Sequence, residues 1–216
     1  MSFWAVIPVR GFERGKTRLA GALAAAERIA LNRRLFARTA ALAADLLGPA
    51  RVLIVSPDPA VIAAAAARGL AALREPEEAG LNGALTLAAG HAEAAGASAI
   101  LSLSCDLPWL GAEDLRAALA VWPGPGHMML APDRAGQGTN ALIVPAGAGF
   151  SYAMGPDSAA RHRESARRSS LGLAELRCRG FEFDLDTPSD LAQWRAAAEP
   201  RPHSQVHEGC LSSQTA

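Results

Sequence analysis

Short apolar runs alternate with longer helix-forming segments along most of the sequence, and each run ends at polar or glycine-rich residues. The first run, FWAVIPV over residues 3–9, is followed by a loop and by a helical stretch over about residues 25–47. A short run without polar alternation is typical of a strand that is buried on both faces of a sheet. Repeated alternation of strands and helices therefore predicts an α/β fold with a mostly parallel sheet flanked by helices.

The same pattern assigns the remaining elements. Further strands are predicted over residues 51–56, 70–74, 98–104, 127–132, 141–145 and 181–185. Further helices are predicted over residues 60–68, about 80–95, 112–121, 158–170 and 188–198. Gly69 is expected to end the second helix, and Thr187 is expected to cap the last helix ahead of Pro188.

The length of 216 residues suits one domain with a sizeable core. No internal repeat or second domain is visible, so residues 1–198 are predicted to form a single domain. Residues 199–216 are polar and without periodicity, and they are predicted to be a disordered tail. Half of the residues are hydrophobic and only 5% are aromatic, which favours alanine-lined helices packed closely on a sheet.

Composition argues against several classes of partner. Lys and Arg number 21 and so do Asp and Glu, so no overall field attracts nucleic acid or an acidic membrane surface. No stretch approaches the roughly 20 apolar residues of a membrane span, and the N-terminal apolar run is too short for a signal peptide. Three cysteines without metal spacing fit a reducing compartment. We expect a cytoplasmic protein, and its alanine-rich helix faces are compatible with a homodimer.

The loop after the first strand, PVRGFERGKTR over residues 8–18, is the first chemically informative cluster. It contains four cations and two glycines, and glycines let backbone N–H groups approach phosphates, with a following helix start adding to the anion site. Gly15, Lys16 and Thr17 match the end of a P-loop, but Arg10 stands where that motif requires its first glycine. The loop is interpreted as a different kind of phosphate site, with a solvated basic turn as the alternative.

Carboxylates follow two other predicted strands. Asp106 directly follows a buried run, where it could hold Mg²⁺, an ion that usually takes one or two protein carboxylates. Asp184 and Asp186 are two residues apart, so on an extended segment both point to one side and favour a cation between them. The alternatives are a turn cap for Asp106 and an exposed strand end for the pair.

Two further segments are candidates for receiving an acceptor substrate. GQGTN over residues 136–140 offers small and polar groups, and GPDS over residues 155–158 opens a helix. That helix carries four arginines: Arg161, Arg163, Arg167 and Arg168. A helix start followed by arginines suits a phosphate or carboxylate, although a solvated helix face explains them equally well. His162 lies among these cations and is not assigned as a general base.

In this order, the segments IPVRGFERGKTRL, GLNGAL, SCDLP, GTNAL, GPDS with a following His, and FDLDTPSDL resemble the 2-phospho-L-lactate guanylyltransferase family of coenzyme F-420 biosynthesis. The resemblance covers roughly residues 3–195. It implies a nucleotide-diphospho-sugar-transferase-like, Rossmann-related fold, with Mg²⁺ as cofactor and GTP as donor of GMP. It also implies a three-carbon phosphorylated acid as acceptor, namely 2-phospho-L-lactate, phosphoenolpyruvate or 3-phospho-D-glycerate, with release of pyrophosphate.

The resemblance also implies roles for individual residues. The catalytic residues are Lys16 and Asp106. The nucleotide-binding residues are Pro8, Val9, Arg10, Gly11, Lys16, Arg18, Asn82 and Ser104. The acceptor-binding residues are Thr139, Gly155 and Ser158, and the metal ligands are Asp106, Asp184 and Asp186. Specificity for guanine is expected from backbone and amide groups near Pro8 and Asn82.

Three positions depart from the family pattern and leave the acceptor open. Arg10 and Gly11 stand where many members carry Lys and a different residue, and Asp157 adds a negative charge beside a proposed anion site. A molybdopterin guanylyl- or cytidylyltransferase is an alternative, although its glycine-richer opening loop fits poorly. A sugar-1-phosphate nucleotidyltransferase is another, for which the chain is short. A non-catalytic GTP-binding regulator is the third, and it leaves Asp184 and Asp186 without a purpose.

Overall fold

The computed structural model of the protein describes residues 1–198, so the tail predicted over residues 199–216 lies outside the described part. The described residues form seven strands: β1 Phe3–Pro8, β2 Val52–Ser56, β3 Ala71–Arg74, β4 Ala99–Leu103, β5 His127–Pro132, β6 Thr139–Pro145 and β7 Gly172–Glu175. They also form seven α-helices: α1 Ala25–Leu47, α2 Pro59–Ala66, α3 Gly80–Ala94, α4 Ala112–Val121, α5 Ser158–Arg168, α6 Arg179–Glu182 and α7 Pro188–Ala198.

All seven strands join one sheet in the order β3-β2-β1-β4-β6-β5-β7. β6 runs antiparallel to both of its neighbours, β4 and β5. Every other pairing in the sheet is parallel. The prediction of a mostly parallel α/β sheet is therefore confirmed.

Helices cover both faces of the sheet, and small residues let them lie close to it. α1, α2 and α4 pack against one face, where Ile7, Ile54 and Leu101 are fully buried. α3 and α5 pack against the other face through alanines, including Ala88 and Ala159. Burying each large aliphatic side chain contributes about 1.5–3 kcal/mol, so these layers supply most of the driving force for folding.

The strand order reverses between β1 and β4. From β1 the chain proceeds through β2 to the edge strand β3, and α3 then carries it back to β4 on the other side of β1. In open α/β sheets, ligands bind at such a switch point, outside the carboxyl ends of the strands. The loops after β1 and β4 are therefore the expected walls of a site.

One predicted strand is wrong. Residues 181–185 form no strand; the short helix α6 ends there, and the sheet is completed by β7, where no strand was predicted. The alternating pattern FEFDL misled the prediction because Phe181 and Phe183 are buried for other reasons. The carbonyl of Phe181 accepts a hydrogen bond from Asn140 Nδ2 at 2.7 Å, and the Phe183 ring stacks on Trp109.

The helix ends follow their local signals. Gly69 has φ of 68°, and Leu70 N–H donates to Ala65 O, as expected for a chain leaving α2. Thr187 Oγ1 accepts from Asp190 N, and Asp190 Oδ2 accepts from Thr187 N, so the predicted cap of α7 is present. None of the helices in residues 1–198 is long and apolar enough to cross a bilayer.

Candidate active site

The loop after β1 is held in place by side chains from two other elements. Asp58, in the turn after β2, accepts from Phe12 N at 3.2 Å, and Asn32 of α1 donates to Phe12 O at 2.7 Å. Gly11 has φ of 136°, and a Cβ there would lie 3.0 Å from Asp58 Oδ2. Gly11 is therefore required both by the backbone conformation and by the lack of space for a Cβ.

Lys16 occupies an unusual backbone conformation within this loop. Its φ of 58° and ψ of 35° are left-handed, which costs a residue other than glycine about 1–3 kcal/mol. A one-turn 3-10 helix follows over Thr17–Leu19, whereas α1 begins only at Ala25. The helix start expected directly behind the loop is thus a single turn, and the strained backbone instead turns the Lys16 side chain inward.

The Lys16 ammonium lies between two carboxylates from distant parts of the chain. Nζ is 2.8 Å from Asp106 Oδ2 and 2.7 Å from Asp186 Oδ1, and only 7% of the Lys16 side chain is exposed. Burial by itself would lower the pKa of Lys16, but the charges of Asp106 and Asp186 outweigh it and raise the pKa. Lys16 is therefore a fixed cation at neutral pH.

Asp106 stands at the carboxyl end of β4 and is kept ionised. Burial would raise its pKa, but the Lys16 ammonium and a hydrogen bond from Ser104 Oγ, at 2.6 Å, bring the pKa below its usual value. The side chain is 24% exposed. An ionised carboxylate is thus presented at the switch point of the sheet.

Asp184 and Asp186 have different environments although they are two residues apart. Asp186 pairs with Lys16 and its side chain is 39% exposed. Burial, followed by repulsion from Asp106, raises the pKa of Asp184 to about 6. The two side chains therefore divide between an ion pair and a desolvated site, rather than sharing one exposed edge.

The carboxylates fit a hard divalent cation. Oxygens of Asp106 and Asp186 converge on one positive atom, the Lys16 ammonium, and carboxylate oxygen is the ligand type that Mg²⁺ prefers. Within residues 1–198, no group of three or more His, Cys, Asp or Glu side chains is arranged around a common point. Mg²⁺ usually takes only one or two protein carboxylates, so this pair is sufficient in number.

A cavity of about 480 Å³ opens beside these charges. It is lined by nine of the residues predicted for the site: Pro8, Val9, Arg10, Gly11, Lys16, Ser104, Asp106, Thr139 and Asp186. These residues come from the end of β1 and the loop after it, from the loop after β4, from the start of β6, and from the segment before α7. The tertiary structure therefore brings most of the predicted site together.

A hydrogen-bonded network forms the β6 side of the cavity. Backbone N–H of Ala153 donates to His162 Nε2 at 3.0 Å, which leaves the ring proton on Nδ1. Nδ1 lies 2.9 Å from Thr139 Oγ1, which also accepts from Ser158 Oγ at 3.1 Å. Since Thr139 Oγ1 accepts twice, its own hydroxyl proton is available to the cavity.

Five predicted residues do not line the cavity: Arg18, Asn82, Gly155, Ser158 and Asp184. Arg18 is exposed. Asn82 Oδ1 accepts from Met154 N at 2.6 Å, and Met154 lines the cavity. Asn82 therefore links α3 to the cavity wall through this hydrogen bond. Gly155 is exposed with φ of 112°, and Ser158 reaches the cavity only through Thr139.

Sequence reasoning missed several residues of the cavity wall. Glu75 follows β3 and is 9% exposed, and Ser102 of β4 lies 3.2 Å from the buried Tyr152 hydroxyl. Asn140 was seen only as part of a polar loop, and it anchors α6 through Phe181 O. Glu75 obeys the rule that identified Asp106, a carboxylate directly after an apolar run, but its strand is short and its run weakly apolar.

The chain matches a family model described as guanylyl transferase CofC like over residues 3–195. It is 41% identical over 198 residues to a phosphoenolpyruvate guanylyltransferase of Sphaerobacter thermophilus, a match that covers 89% of this chain and 92% of that protein. It is 39% identical over 193 residues to a 3-phospho-D-glycerate guanylyltransferase of Phenylobacterium zucineum, covering 88% of each.

A solved structure supports the fold. The chain superposes on a nucleotide-diphospho-sugar transferase from Desulfovibrio desulfuricans G20 with a TM-score of 0.71 and 18% identity, covering 92% of this chain and 88% of that one. The nucleotide-diphospho-sugar-transferase-like fold predicted from the sequence motifs is confirmed. The family match spans the same residues over which those motifs lie.

Proposed function

The chain belongs to the family of CofC-like guanylyl transferases, and from this premise we propose that it transfers GMP from GTP to a three-carbon phosphorylated acid, with release of pyrophosphate. Relatives of similar identity are named as guanylyltransferases of phosphoenolpyruvate and of 3-phospho-D-glycerate. The chain is therefore a nucleotidyltransferase and not a non-catalytic GTP-binding regulator. Coenzyme F-420 biosynthesis is the pathway that the family implies.

The arrangement of Lys16 between Asp106 and Asp186 is the observation that carries the proposal. It places a fixed cation and two carboxylate oxygens at one point of a cavity of about 480 Å³. Transfer of a nucleotidyl group needs charge stabilisation and alignment more than covalent chemistry from the protein. A buried Lys held by carboxylates supplies both the charge and the fixed position.

The acceptor needs no strong base in this reaction. An oxygen of its phosphate, already ionised at neutral pH, attacks the α-phosphorus of GTP in line, and the bond to the pyrophosphate oxygen breaks. Negative charge then builds on the departing pyrophosphate. We assign its neutralisation to Lys16, with Arg10 at the same wall of the cavity.

Mg²⁺ is the proposed cofactor, with Asp106 and Asp186 as its ligands and Asp184 as a neighbour whose charge it would compensate. When bound, the ion supplies Lewis-acid stabilisation of phosphate oxygens. Asp106 is fixed for this role by Ser104, which holds one carboxylate oxygen while the other faces Lys16. Lys16 keeps the two carboxylates together before substrate arrives.

Acceptor binding is assigned to the network around Thr139. His162 is neutral with its proton on Nδ1, so it fixes the Thr139 oxygen and directs the Thr139 hydroxyl toward the cavity. Ser158 supports the same oxygen from the start of α5. A neutral hydroxyl donor can bind either a phosphate or a carboxylate oxygen, and both occur in the proposed acceptors.

The test is pyrophosphate release by the purified protein with Mg²⁺, with four NTPs crossed against 2-phospho-L-lactate, phosphoenolpyruvate and 3-phospho-D-glycerate. We expect turnover with GTP and one of the three acids, and the active acid identifies the acceptor. Protein shown to be folded by circular dichroism that is silent in every combination would contradict the proposal. A molybdopterin-type substrate would then be tested next.

A further inference from the structure

We propose that Glu75 recognises the base of the nucleotide, by accepting hydrogen bonds from the N1–H and the N2 amino group of guanine. This inference rests on the proposed function, because it names the group that selects the donor. Guanine places two donors side by side on one edge, and a carboxylate offers two acceptors in matching geometry.

Glu75 is buried without a hydrogen-bond partner for its side chain. It directly follows β3, and its backbone N–H donates to Ser56 O at 3.2 Å, which fixes the residue to the end of β2. Only 9% of the residue is exposed. Its Oε2 is fully buried and accepts no hydrogen bond from any of the described residues.

An unpartnered buried carboxylate is unfavourable, and a ligand can relieve it. Leaving a buried polar group without a hydrogen bond lowers stability, and more so when the group is charged. Burial raises the pKa of Glu75, which reflects this cost. Two N–H donors from a bound base would supply the missing hydrogen bonds and favour the ionised form.

Glu75 faces the cavity that holds the catalytic charges. It lines the 480 Å³ cavity together with Lys16 and Asp106, and it also borders a neighbouring cavity of about 740 Å³. A ligand in the first cavity can therefore contact the charges and Glu75 at the same time. Oε2 is covered in the structure, so contact with both carboxylate oxygens requires the Glu75 side chain to turn toward the cavity when the base binds.

The sheet order sets the distance between the two ends of the site. Asp106 follows β4, Lys16 follows β1 and Glu75 follows β3, and these strands lie in the order β3-β2-β1-β4. Neighbouring strands are about 4.8 Å apart, so the ends of β4 and β3 are separated by about 14 Å. A nucleotide with its phosphates at β1 and β4 would extend its base toward β2 and β3.

Apolar groups in the cavity that Glu75 lines are suited to the faces of a base. Leu81, at the start of α3, lines the same cavity and is 50% exposed, which is unusual for a leucine in this protein. Pro8, the last residue of β1, and Pro57, directly after β2, line it as well. Stacking on such surfaces removes apolar area from water, while the edge of the base faces the carboxylate.

The carboxylate also explains selection against other bases. Adenine presents one amino donor beside a ring nitrogen that is an acceptor, and that lone pair would face the second oxygen of Glu75. Sites that hydrogen-bond a substrate edge discriminate strongly because their own buried groups are left unpaired by the wrong ligand. Glu75 would therefore favour guanine and disfavour adenine and cytosine through one side chain.

The experiment compares E75Q with the wild type, using GTP and ITP as donors. ITP keeps the N1–H of guanine but lacks the N2 amino group. We expect the wild type to prefer GTP, and E75Q to lose about 10²-fold in kcat/KM for GTP and much less for ITP. The ratio between the two donors should therefore collapse, whereas KM for the acceptor should stay unchanged.

Two controls separate base recognition from folding. E75Q removes a buried charge, so its Tm should equal or exceed that of the wild type. E78Q makes the same change three residues away on an exposed side chain and should keep the wild-type GTP preference. An E75Q variant that loses activity equally with GTP and ITP, or that keeps the GTP preference, would overturn the inference.

Failure of the proposed function gives a different result. If the wild type turns over GTP with an acid and E75Q keeps its preference, only the role of Glu75 is wrong. If the wild type shows no turnover, calorimetric binding of GTP and ITP to both proteins still measures base selection. Equal binding of both nucleotides by the wild type would then overturn the role of Glu75 as well.

Discussion

The side chains on the β1 and β4 side of the cavity are charged, whereas those on the β6 and α5 side are neutral and hydrogen-bonded. Lys16 meets Asp106 and Asp186 on the first side. His162 and Thr139 meet on the second, and burial, with the charge of Arg161, lowers the pKa of His162 to about 4. Charge is thus concentrated where phosphate chemistry is proposed, and the other side provides fixed geometry without charge.

Removing a charge from the first side should produce the largest effect. We expect Asp106→Asn to lower kcat by about 10²–10³-fold, the usual loss when a preorganised electrostatic group is removed. The measurement is pyrophosphate release under saturating donor and acceptor. Asp45→Asn, an exposed carboxylate on α1, is the matched control and should keep wild-type turnover. A folded Asp106→Asn protein with near-normal kcat would remove Asp106 from the mechanism.

Protonation of His162, on the neutral side of the cavity, should destabilise the fold. The folded-state pKa of His162, about 4, is below its usual value of 6.5, so its stabilisation is complete above pH 6.5 and lost as pH falls toward 4. The loss should approach about 3 kcal/mol by pH 4. Urea unfolding at a series of pH values measures it, and His162→Gln should flatten the dependence. His91→Gln, at an exposed position, should leave it as in the wild type.

A methyl group added to the loop after β1 should test whether the backbone of that loop is as constrained as the structure indicates. Gly11→Ala places a Cβ 3.0 Å from Asp58 Oδ2 at a φ of 136°, so we expect a loss of about 2 kcal/mol in the free energy of unfolding. Gly21→Ala is the control, because a Cβ at that position meets no atom within 4 Å. Equal stability of the two variants would show that the loop adapts.

Removing the Thr139 hydroxyl should have the smallest and most selective effect. Thr139→Val loses one neutral donor, so kcat/KM for the acceptor should fall about 10-fold while KM for GTP stays constant. Thr139→Ser keeps the hydroxyl and should retain most of the activity. A rise in KM for GTP instead would show that Thr139 contacts the donor. The β6 and α5 side of the cavity would then not be specific to the acceptor.

Local pattern was sufficient for most of the fold and part of the site. Six of the seven observed strands were predicted because each is a compact apolar run with polar residues at its ends. β7 was missed, since Gly172–Glu175 is short and only partly buried. Glu75 was missed although its strand was predicted, because that strand is short and weakly apolar and gave no sign that its end lies at the site.

The roles within the acidic pair could not be separated from the sequence. Asp184 and Asp186 have the same chemistry and lie in the same motif, yet one pairs with Lys16 and the other is desolvated. The prediction of a strand through them was wrong, so alternation gave no guide to where each side chain points. That direction follows from how α6 and the segment before α7 pack.

The sequence by itself determined the alternating α/β architecture, the family motifs and the placement of Lys16 in the loop after β1 and of Asp106 in the loop after β4. These features depend on residue type and spacing over short stretches, where backbone periodicity and glycine geometry act. Only the tertiary structure decided that Asp186 meets Lys16 across 170 positions, that His162 is a buried neutral support for Thr139, and that Glu75 faces the same cavity. Such contacts are set by strand order and helix packing, which bring distant residues together without leaving a local signal.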